Sequence, residues 1–332
     1  MRAARERQSR LTKPAGSLGR LEELSIRIAG MTGKLDPPLD DAVVFTLAAD
    51  HGVADEGVSA YPADVTAQMV ANFLRGGAAI NVLARAAGAR VVVADLGVKS
   101  DLAAAEGLVS RKIRRGTANI TRGPAMSLDE ARAAIEAGRA LVREHRPDIA
   151  ITGDMGIGNT TASAAIVCAL TGLDPDAVVG RGTGVDDSGL ERKRHAVRAA
   201  QRVNALAIAI GPAETLAAVG GLEIAGLVGV ILESARSRKP VIIDGFISGA
   251  AALVASRMAL GATDFMIASH RSHELGHGAV LEQLGLKPLL DLDLRLGEGT
   301  GGALALSIVR ASMRLLNEMA TFEDAGVSGP AP

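Results

Sequence analysis

Residues 296–302 (LGEGTGG) place one carboxylate, that of Glu298, between glycines and directly ahead of a helical pattern. Glycines on both sides allow a backbone turn that presents the carboxylate to a ligand. A carboxylate presented in this way can act as a general base or stabilise a positive charge. The alternative is a glutamate that complements the dipole at a helix start, and the segment alone does not decide between the two.

Two glycine-rich segments, residues 153–161 (GDMGIGNTT) and 180–187 (GRGTGVDD), have the composition of anion-binding loops. The first lies between an apolar run and a helical pattern, so its amides and the helix N-terminus can face a phosphate. The second leads into the basic residues 191–194 (ERKR), and residues 244–249 (DGFISG) form a third strand-to-helix turn. These loops suggest a phosphorylated ligand. Capped turns and a solvated basic helix face are the alternative.

Residues 273–277 (HELGH) match the H-E-x-x-H pattern of zinc proteases. In such an enzyme His273 and His277 would share one helical face, and Glu274 would activate a zinc-bound water. No third ligand follows at the expected spacing, and the motif comes directly after an apolar run typical of a buried strand. We therefore favour histidines that serve turns and caps, with a zinc hydrolase as the alternative.

The elements that must position these segments alternate between short apolar runs and alanine-rich helical stretches. Buried strands are predicted at residues 42–49, 90–96, 148–152, 240–244 and 264–269. This alternation predicts an α/β fold with a doubly wound, largely parallel, Rossmann-like sheet. Because ligands bind beyond the carboxyl ends of the strands in such sheets, chemistry is expected in the loops that follow them.

Both ends of the chain contain helical patterns and little strand signal. We expect residues 1–40 and 288–328 to form a small helical domain and residues 41–287 to form the large α/β substrate-binding domain. Residues 329–332 are expected to be a disordered tail. The pairing of the two ends rests on composition and not on periodicity.

The composition argues against several classes of partner. Lys and Arg (36) nearly balance Asp and Glu (37), and only 2% of the 332 residues are aromatic. The chain therefore lacks the basic excess and the stacking side chains that nucleic-acid binding requires. No apolar run reaches the length of a membrane span, and residues 1–14 contain no apolar stretch of signal-peptide length, so we expect a cytoplasmic protein without a membrane partner.

Several ordered motifs at compatible spacing are more specific than any one of them alone. They are residues 11–19 (LTKPAGSLG), 50–53 (DHGV), 61–62 (YP), 65–69 (VTAQM), 156–161 (GIGNTT), 180–184 (GRGTG), 243–246 (IDGF), 270–272 (HRS) and 295–301 (RLGEGTG). Along nearly its whole length the chain thereby resembles the nicotinate-nucleotide:dimethylbenzimidazole phosphoribosyltransferase family.

The resemblance implies that a nitrogen of 5,6-dimethylbenzimidazole displaces nicotinate from C1′ of nicotinate mononucleotide, giving α-ribazole 5′-phosphate. The family's general base corresponds to Glu298. The reaction needs a general base but no general acid. Nicotinate leaves from a pyridinium and needs no proton, whereas the attacking benzimidazole must lose its N–H proton. Asp154 holds the place of a second carboxylate that would support the developing ribose cation, where the family pattern has Glu.

By motif position, four residues correspond to the family's phosphate-binding set: Gly156, Lys193, Gly245 and Ser272. Three residues correspond to the pocket for the base: Tyr61, Gln68 and Met69. The resemblance implies two small-molecule substrates, no metal, no cofactor and a homodimer. A nucleotide-binding regulator that uses the same loops without Glu298 remains an alternative, which product formation from the two substrates would exclude.

Overall fold

The computed structural model describes residues 1–102 and 105–328, so the predicted tail at 329–332 lies outside the described residues. Its strands are β1 (Ala42–Ala49), β2 (Ala89–Gly97), β3 (Leu108–Ser110), β4 (Ile149–Met155), β5 (Val241–Ile243), β6 (Met266–Ala268), β7 (His270–Arg271) and β8 (Leu290–Asp291). The first six form one parallel sheet in the order β3-β2-β1-β4-β5-β6, and the last two pair separately.

The helices are α1 (Arg2–Arg10), α2 (Arg20–Thr32), α3 (Val65–Leu74), α4 (Ala79–Ala87), α5 (Leu128–His145), α6 (Asn159–Thr171), α7 (Pro175–Val178), α8 (Asp187–Val203), α9 (Ala205–Ile208), α10 (Pro212–Val219), α11 (Leu222–Arg236), α12 (Phe246–Met258), α13 (His277–Leu284), α14 (Thr300–Glu318) and α15 (Phe322–Ala325). Short 3-10 helices span Gly52–Glu56 and Ala262–Phe265. Among the described residues, no helix combines the length and apolar character that crossing a membrane requires.

Helices cover both faces of the main sheet. In β1, Val43 and Phe45 face the core formed with α5, α6, α11 and α12, whereas Val44 and Ala48 face the core formed with α2, α3, α4 and α14. This alternation follows from the two-residue period of a strand, and apolar residues on both faces mark a sheet buried on both sides. The predicted doubly wound α/β fold is confirmed.

The strand order reverses between β1 and β4. From β1 the chain proceeds outward through β2 to β3, then returns to pair β4 with the other side of β1 and continues to β5 and β6. The crevice beyond the carboxyl ends of the strands at such a reversal is where doubly wound sheets bind ligands. The fold therefore predicts that a ligand binds near the loops after β1 and β4.

The two chain ends lie close together. Leu11 and Thr321 form an isolated antiparallel bridge, and α2 and α14 pack side by side. Both helices also share a core with the sheet residues Ile151 and Ile242. The helices of the two chain ends thus belong to the layer that covers one face of the sheet. A separate small domain formed by residues 1–40 and 288–328 remains a prediction.

Candidate active site

A cavity of about 680 Å³ opens beyond the carboxyl ends of β4, β5 and β6. Its walls come from the loops after these strands, from the start of α3 and from the turn ahead of α14. Neither Lys193 nor Gln68 belongs to the lining residues. The other seven of the nine site residues that the resemblance implies line the cavity: Tyr61, Met69, Asp154, Gly156, Gly245, Ser272 and Glu298.

Glu298 lies in a turn whose three residues all have positive φ, 86° at Gly297, 64° at Glu298 and 99° at Gly299. This region is open to glycine but unfavourable for other residues, and such strain concentrates at functional sites. The Thr46 hydroxyl donates to the Glu298 carbonyl oxygen (3.0 Å), and the Ile80 amide donates to Glu298 Oε2 (3.2 Å). The turn that the flanking glycines allow is therefore held in place from β1 and from α4.

Asp154, at the end of β4, is one of four carboxyl groups on the cavity, together with Glu274, Asp293 and Glu298, and is only 5% exposed. Burial and the nearby carboxylates of Asp244 and Glu223 raise the pKa of Asp154 well above its ordinary value. Its Oδ2 accepts from Asn159 Nδ2 at 3.0 Å, while Oδ1 has no partner within the described residues. Burial also raises the pKa of Glu298, which brings this carboxyl group closer to the range of a useful base.

The turn after β4 has the features of an anion site. Its Gly158 is the N-cap of α6 and supplies no side-chain cap; the Asn159 and Thr161 amides bond to the Gly156 and Gly158 carbonyl oxygens, and the helix dipole still favours an anion here. A Cβ at Gly156 would collide with the Ala49 carbonyl oxygen, so this close packing onto β1 requires glycine. Beneath Gly156, His51 Nε2 and Glu223 Oε1 form a buried pair at 2.6 Å. Neither residue of the pair belongs to the lining of the cavity, so the pair supports the turn without facing a ligand there.

Sequence reasoning did not single out this pair. His51 follows β1 and Glu223 belongs to α11, and 172 positions separate them along the chain. The available signal was the DHGV motif at 50–53, in which a polar histidine directly follows an apolar strand. Its carboxylate partner depends on how α11 docks against the sheet, which no local pattern specifies.

Lys193 on α8 is buried, and its Nζ donates to Thr160 Oγ1 at 3.0 Å. A Cβ at Gly182 would lie only 2.6 Å from the same nitrogen. Burial lowers the pKa of Lys193 to about 8, against the opposing effect of the Glu274 carboxylate. Lys193 therefore keeps most of its charge at neutral pH and lies directly behind Thr160 and Gly182, which line the cavity.

Ser272 is positioned by a set of buried histidines and serines. Its amide donates to His277 Nδ1 at 2.8 Å. His270 Nδ1 lies 2.8 Å from Ser269 Oγ, and because that hydroxyl donates to the Asp244 carbonyl oxygen, the histidine nitrogen is the donor of the pair. Burial lowers the pKa of His270 to about 4 and that of His277 to about 3, so both rings are neutral and act through fixed hydrogen bonds.

Comparison with known proteins places this chain in a family. A family model described as Phosphoribosyltransferase matches residues 1–327. The nicotinate-nucleotide–dimethylbenzimidazole phosphoribosyltransferase of Chloroflexus aggregans is 58% identical over 329 residues, covering 98% of this chain and 93% of that protein. The protein of the same name from Desulforudis audaxviator is 56% identical and covers 99% and 94%, respectively. The chain belongs to the nicotinate-nucleotide–dimethylbenzimidazole phosphoribosyltransferase family.

A solved structure of this phosphoribosyltransferase family supports the fold independently. The crystal structure of the Thermus thermophilus protein of that name matches with a TM-score of 0.94 at 50% sequence identity. The match covers 99% of this chain and 98% of that chain. The resemblance found in the sequence is confirmed.

The HELGH segment does not form one continuous helix in this phosphoribosyltransferase, and its Glu274 lines the cavity. Helix α13 begins only at His277, so His273 lies in the bend before the helix and the two rings do not share a helical face. The His273 side chain is 68% exposed, whereas His277 faces the interior and accepts from Ser272. The segment therefore lacks the continuous helix on which the zinc-protease alternative depended.

We predict different outcomes for the two histidines. His273→Ala should leave activity and stability within about 0.5 kcal/mol of wild type, because the side chain is exposed. His277→Ala should lower the free energy of unfolding by about 1–3 kcal/mol, because the Ser272 amide loses its buried acceptor. Thermal unfolding and the Michaelis constants of both variants check this. Equal effects, or activity abolished by a chelator and restored by zinc, would contradict it.

The wall expected to receive the base contains Tyr61 and Met69. The Ala60 amide donates to Thr183 Oγ1 (3.1 Å), which ties the segment before α3 to the second glycine-rich loop. Gln68 is exposed, and its position one residue before Met69 turns it about 100° around the helix. The structure thus brings Tyr61 and Met69 to the cavity but not Gln68, whose contact with the base remains a prediction.

Proposed function

We propose that this protein transfers the ribose 5-phosphate of nicotinate mononucleotide to 5,6-dimethylbenzimidazole, releasing nicotinate and forming α-ribazole 5′-phosphate. The observation that carries the proposal is that Glu298 and Asp154 share one cavity with the glycine turns at Gly156 and Gly245. A base, a second carboxyl group and anion-binding amides are the groups that this displacement requires. The names of the relatives from Chloroflexus and Desulforudis support the same substrates.

Glu298 is proposed as the general base. One benzimidazole nitrogen attacks C1′ with its lone pair, and the C1′–N bond to nicotinate breaks with its electrons returning to the pyridine nitrogen. The second benzimidazole nitrogen gives its proton to Glu298, and the raised pKa of this buried carboxyl group makes it a better acceptor than an ordinary glutamate. The leaving group requires no proton, so no general acid is assigned.

Asp154 is proposed to support the ribose. Its Oδ1 has no partner within the described residues, and a sugar hydroxyl would supply one. The positive charge developing at C1′ would favour the ionised form of Asp154, against the burial that raises its pKa. The aspartate is shorter by one methylene than the glutamate of the family pattern. Its attachment to the Asn159 amide fixes Oδ2, which leaves Oδ1 as the oxygen for the ligand.

The phosphate is proposed to bind between the turns after β4 and β5. Gly156, Gly245 and Ser272 line this part of the cavity, and a Cβ at Gly245 would have its nearest contact at 3.6 Å, on the His270 ring. Lys193 would add its charge from behind Thr160, either through the threonine hydroxyl or after a small movement of its own side chain. We further propose a homodimer in the cytoplasm that works without metal or cofactor, as the family resemblance implies.

Product identification tests the proposal. Purified protein is incubated with nicotinate mononucleotide and a panel of bases containing 5,6-dimethylbenzimidazole, other benzimidazoles, adenine and phenols, and the products are identified by mass. We expect α-ribazole 5′-phosphate and one nicotinate per turnover. Binding of the nucleotide without product from any base would instead support the regulator alternative. A preference for another base would show that the protein catalyses the same type of reaction with a different acceptor.

A further inference from the structure

We infer that Asp244 is a positioning residue for catalysis: it caps the start of α14 from a neighbouring strand and thereby fixes the turn that presents Glu298. The inference rests on the proposed role of Glu298 as the base. Asp244 itself is not among the residues that line the cavity, so its action must pass through other groups.

The contacts of Asp244 are those of an N-cap supplied from outside the helix. Asp244 directly follows β5 and is 1% exposed. Its Oδ2 accepts from the Gly299 amide at 3.1 Å, and its Oδ1 accepts from the Gly302 amide at 3.0 Å. Both carboxylate oxygens therefore bind unpaired amides at the start of α14, where a negative charge also complements the helix dipole.

Helix α14 has no cap of its own. Its N-cap residue is Gly299, and its first turn contains no acidic residue. A side chain could not be added easily, because a Cβ at Gly299 would meet Val44 Cγ1 at 2.5 Å and a Cβ at Gly301 would collide with the His270 ring. Because close packing requires glycine at positions 299 and 301, neither residue can supply a capping side chain. The capping group must therefore come from another element.

The capped amide of Gly299 belongs to the residue directly after Glu298. Glu298 has a φ of 64°, which a glutamate keeps only where surrounding contacts fix it. Thr46 and Ile80 hold its carbonyl and its carboxylate, and Asp244 holds the next amide. Without Asp244, we expect the turn to relax toward a commoner conformation and to withdraw the carboxylate from the reacting nitrogen.

Asp244→Asn tests the inference, since it keeps the shape but replaces one acceptor by a donor. We expect turnover to fall about 10- to 100-fold, as a small misplacement of a catalytic group can cause, with little change in the Michaelis constant for nicotinate mononucleotide. In a Glu298→Gln background the same substitution should cost less than about threefold, because the group it positions is already absent. An equal cost in both backgrounds would overturn the inference.

The control is Asp95→Asn, at another buried aspartate that accepts a backbone amide after a strand, Val98 N at 2.8 Å. Any cost of this substitution should be the same in both backgrounds. Near-normal activity of Glu298→Gln alone would refute the proposed role of Glu298 as the base and leave both the transfer reaction and the capping contacts unaffected, so the two failures are distinguishable.

Hydrogen exchange keeps the inference testable if Asp244→Asn does not fold. In the wild-type protein, the Gly299 and Gly302 amides should exchange as slowly as amides of β1 and β4, because each is bonded to a buried carboxylate. Exchange of both at the rate of free loop amides would overturn the inference. In a folded Asp244→Asn variant, loss of protection should concentrate at these two amides.

Discussion

Glu298→Gln is expected to lower turnover by about 10²–10⁴ while largely sparing nicotinate mononucleotide binding, because it keeps the shape of the side chain and removes proton transfer. Glu318→Gln, at the other end of α14, is the matched control and should behave as wild type because this side chain is 72% exposed. Steady-state kinetics with both substrates varied measures the effect. Asp154→Ala should do less, since it removes only support for the ribose cation.

The pH dependence gives this variant a second readout. Burial raises the pKa of Glu298, so the wild-type rate should fall as the pH falls through a value above the ordinary 4.5, where the base becomes protonated. This fall in rate at acidic pH should be smaller in Glu298→Gln, and the part that persists belongs to another group, such as the substrate or Asp154, whose pKa is also raised. At high pH the deficit should shrink, because more of the benzimidazole has already lost its N–H proton. Near-normal turnover of the variant at neutral pH would remove the catalytic assignment.

Lys193→Met should weaken nicotinate mononucleotide binding by about 1.5–3 kcal/mol, or roughly 10- to 150-fold, because one charge-assisted phosphate contact is lost. Methionine retains a long apolar side chain and so limits the cavity left in this buried position. Lys34→Met, at an exposed lysine, is the control and should have no effect. Isothermal titration with the nucleotide and the Michaelis constants for both substrates measure the change.

The sign of the pH effect follows from the lowered pKa of Lys193. The amine is charged below about pH 8, so nucleotide affinity in the wild type should fall as the pH rises through that value. The variant should lack this decline. If only the Michaelis constant for the base changes, Lys193 does not serve the phosphate.

The fold was largely predictable because its signals are local. Each of the five predicted strands coincides with an observed strand, with boundaries that differ by up to a few residues. The strand Leu108–Ser110 was not predicted, because two half-buried residues and one exposed residue at a sheet edge carry no distinct apolar pattern. The two-residue strands His270–Arg271 and Leu290–Asp291 are shorter than any periodicity can reveal.

The groups that support the candidate site were harder to predict than those that line it. Motif positions pointed to Glu298 and Asp154, but nothing local indicates that Thr46 donates to a carbonyl 252 positions away. The capping role of Asp244 depends in the same way on how α14 docks beside β5. Motifs identify side chains, whereas their supporting contacts arise from packing between distant elements.

The candidate base depends on a turn near position 298, whereas its supports lie at Thr46, Ile80 and Asp244. During synthesis the N-terminal segments emerge and can begin to fold first. The site cannot be completed until the segment that becomes α14 has emerged and has docked against the sheet. A nascent chain that already holds most of the sheet would still lack the base, so the onset of transferase activity would mark the end of folding rather than the formation of the sheet.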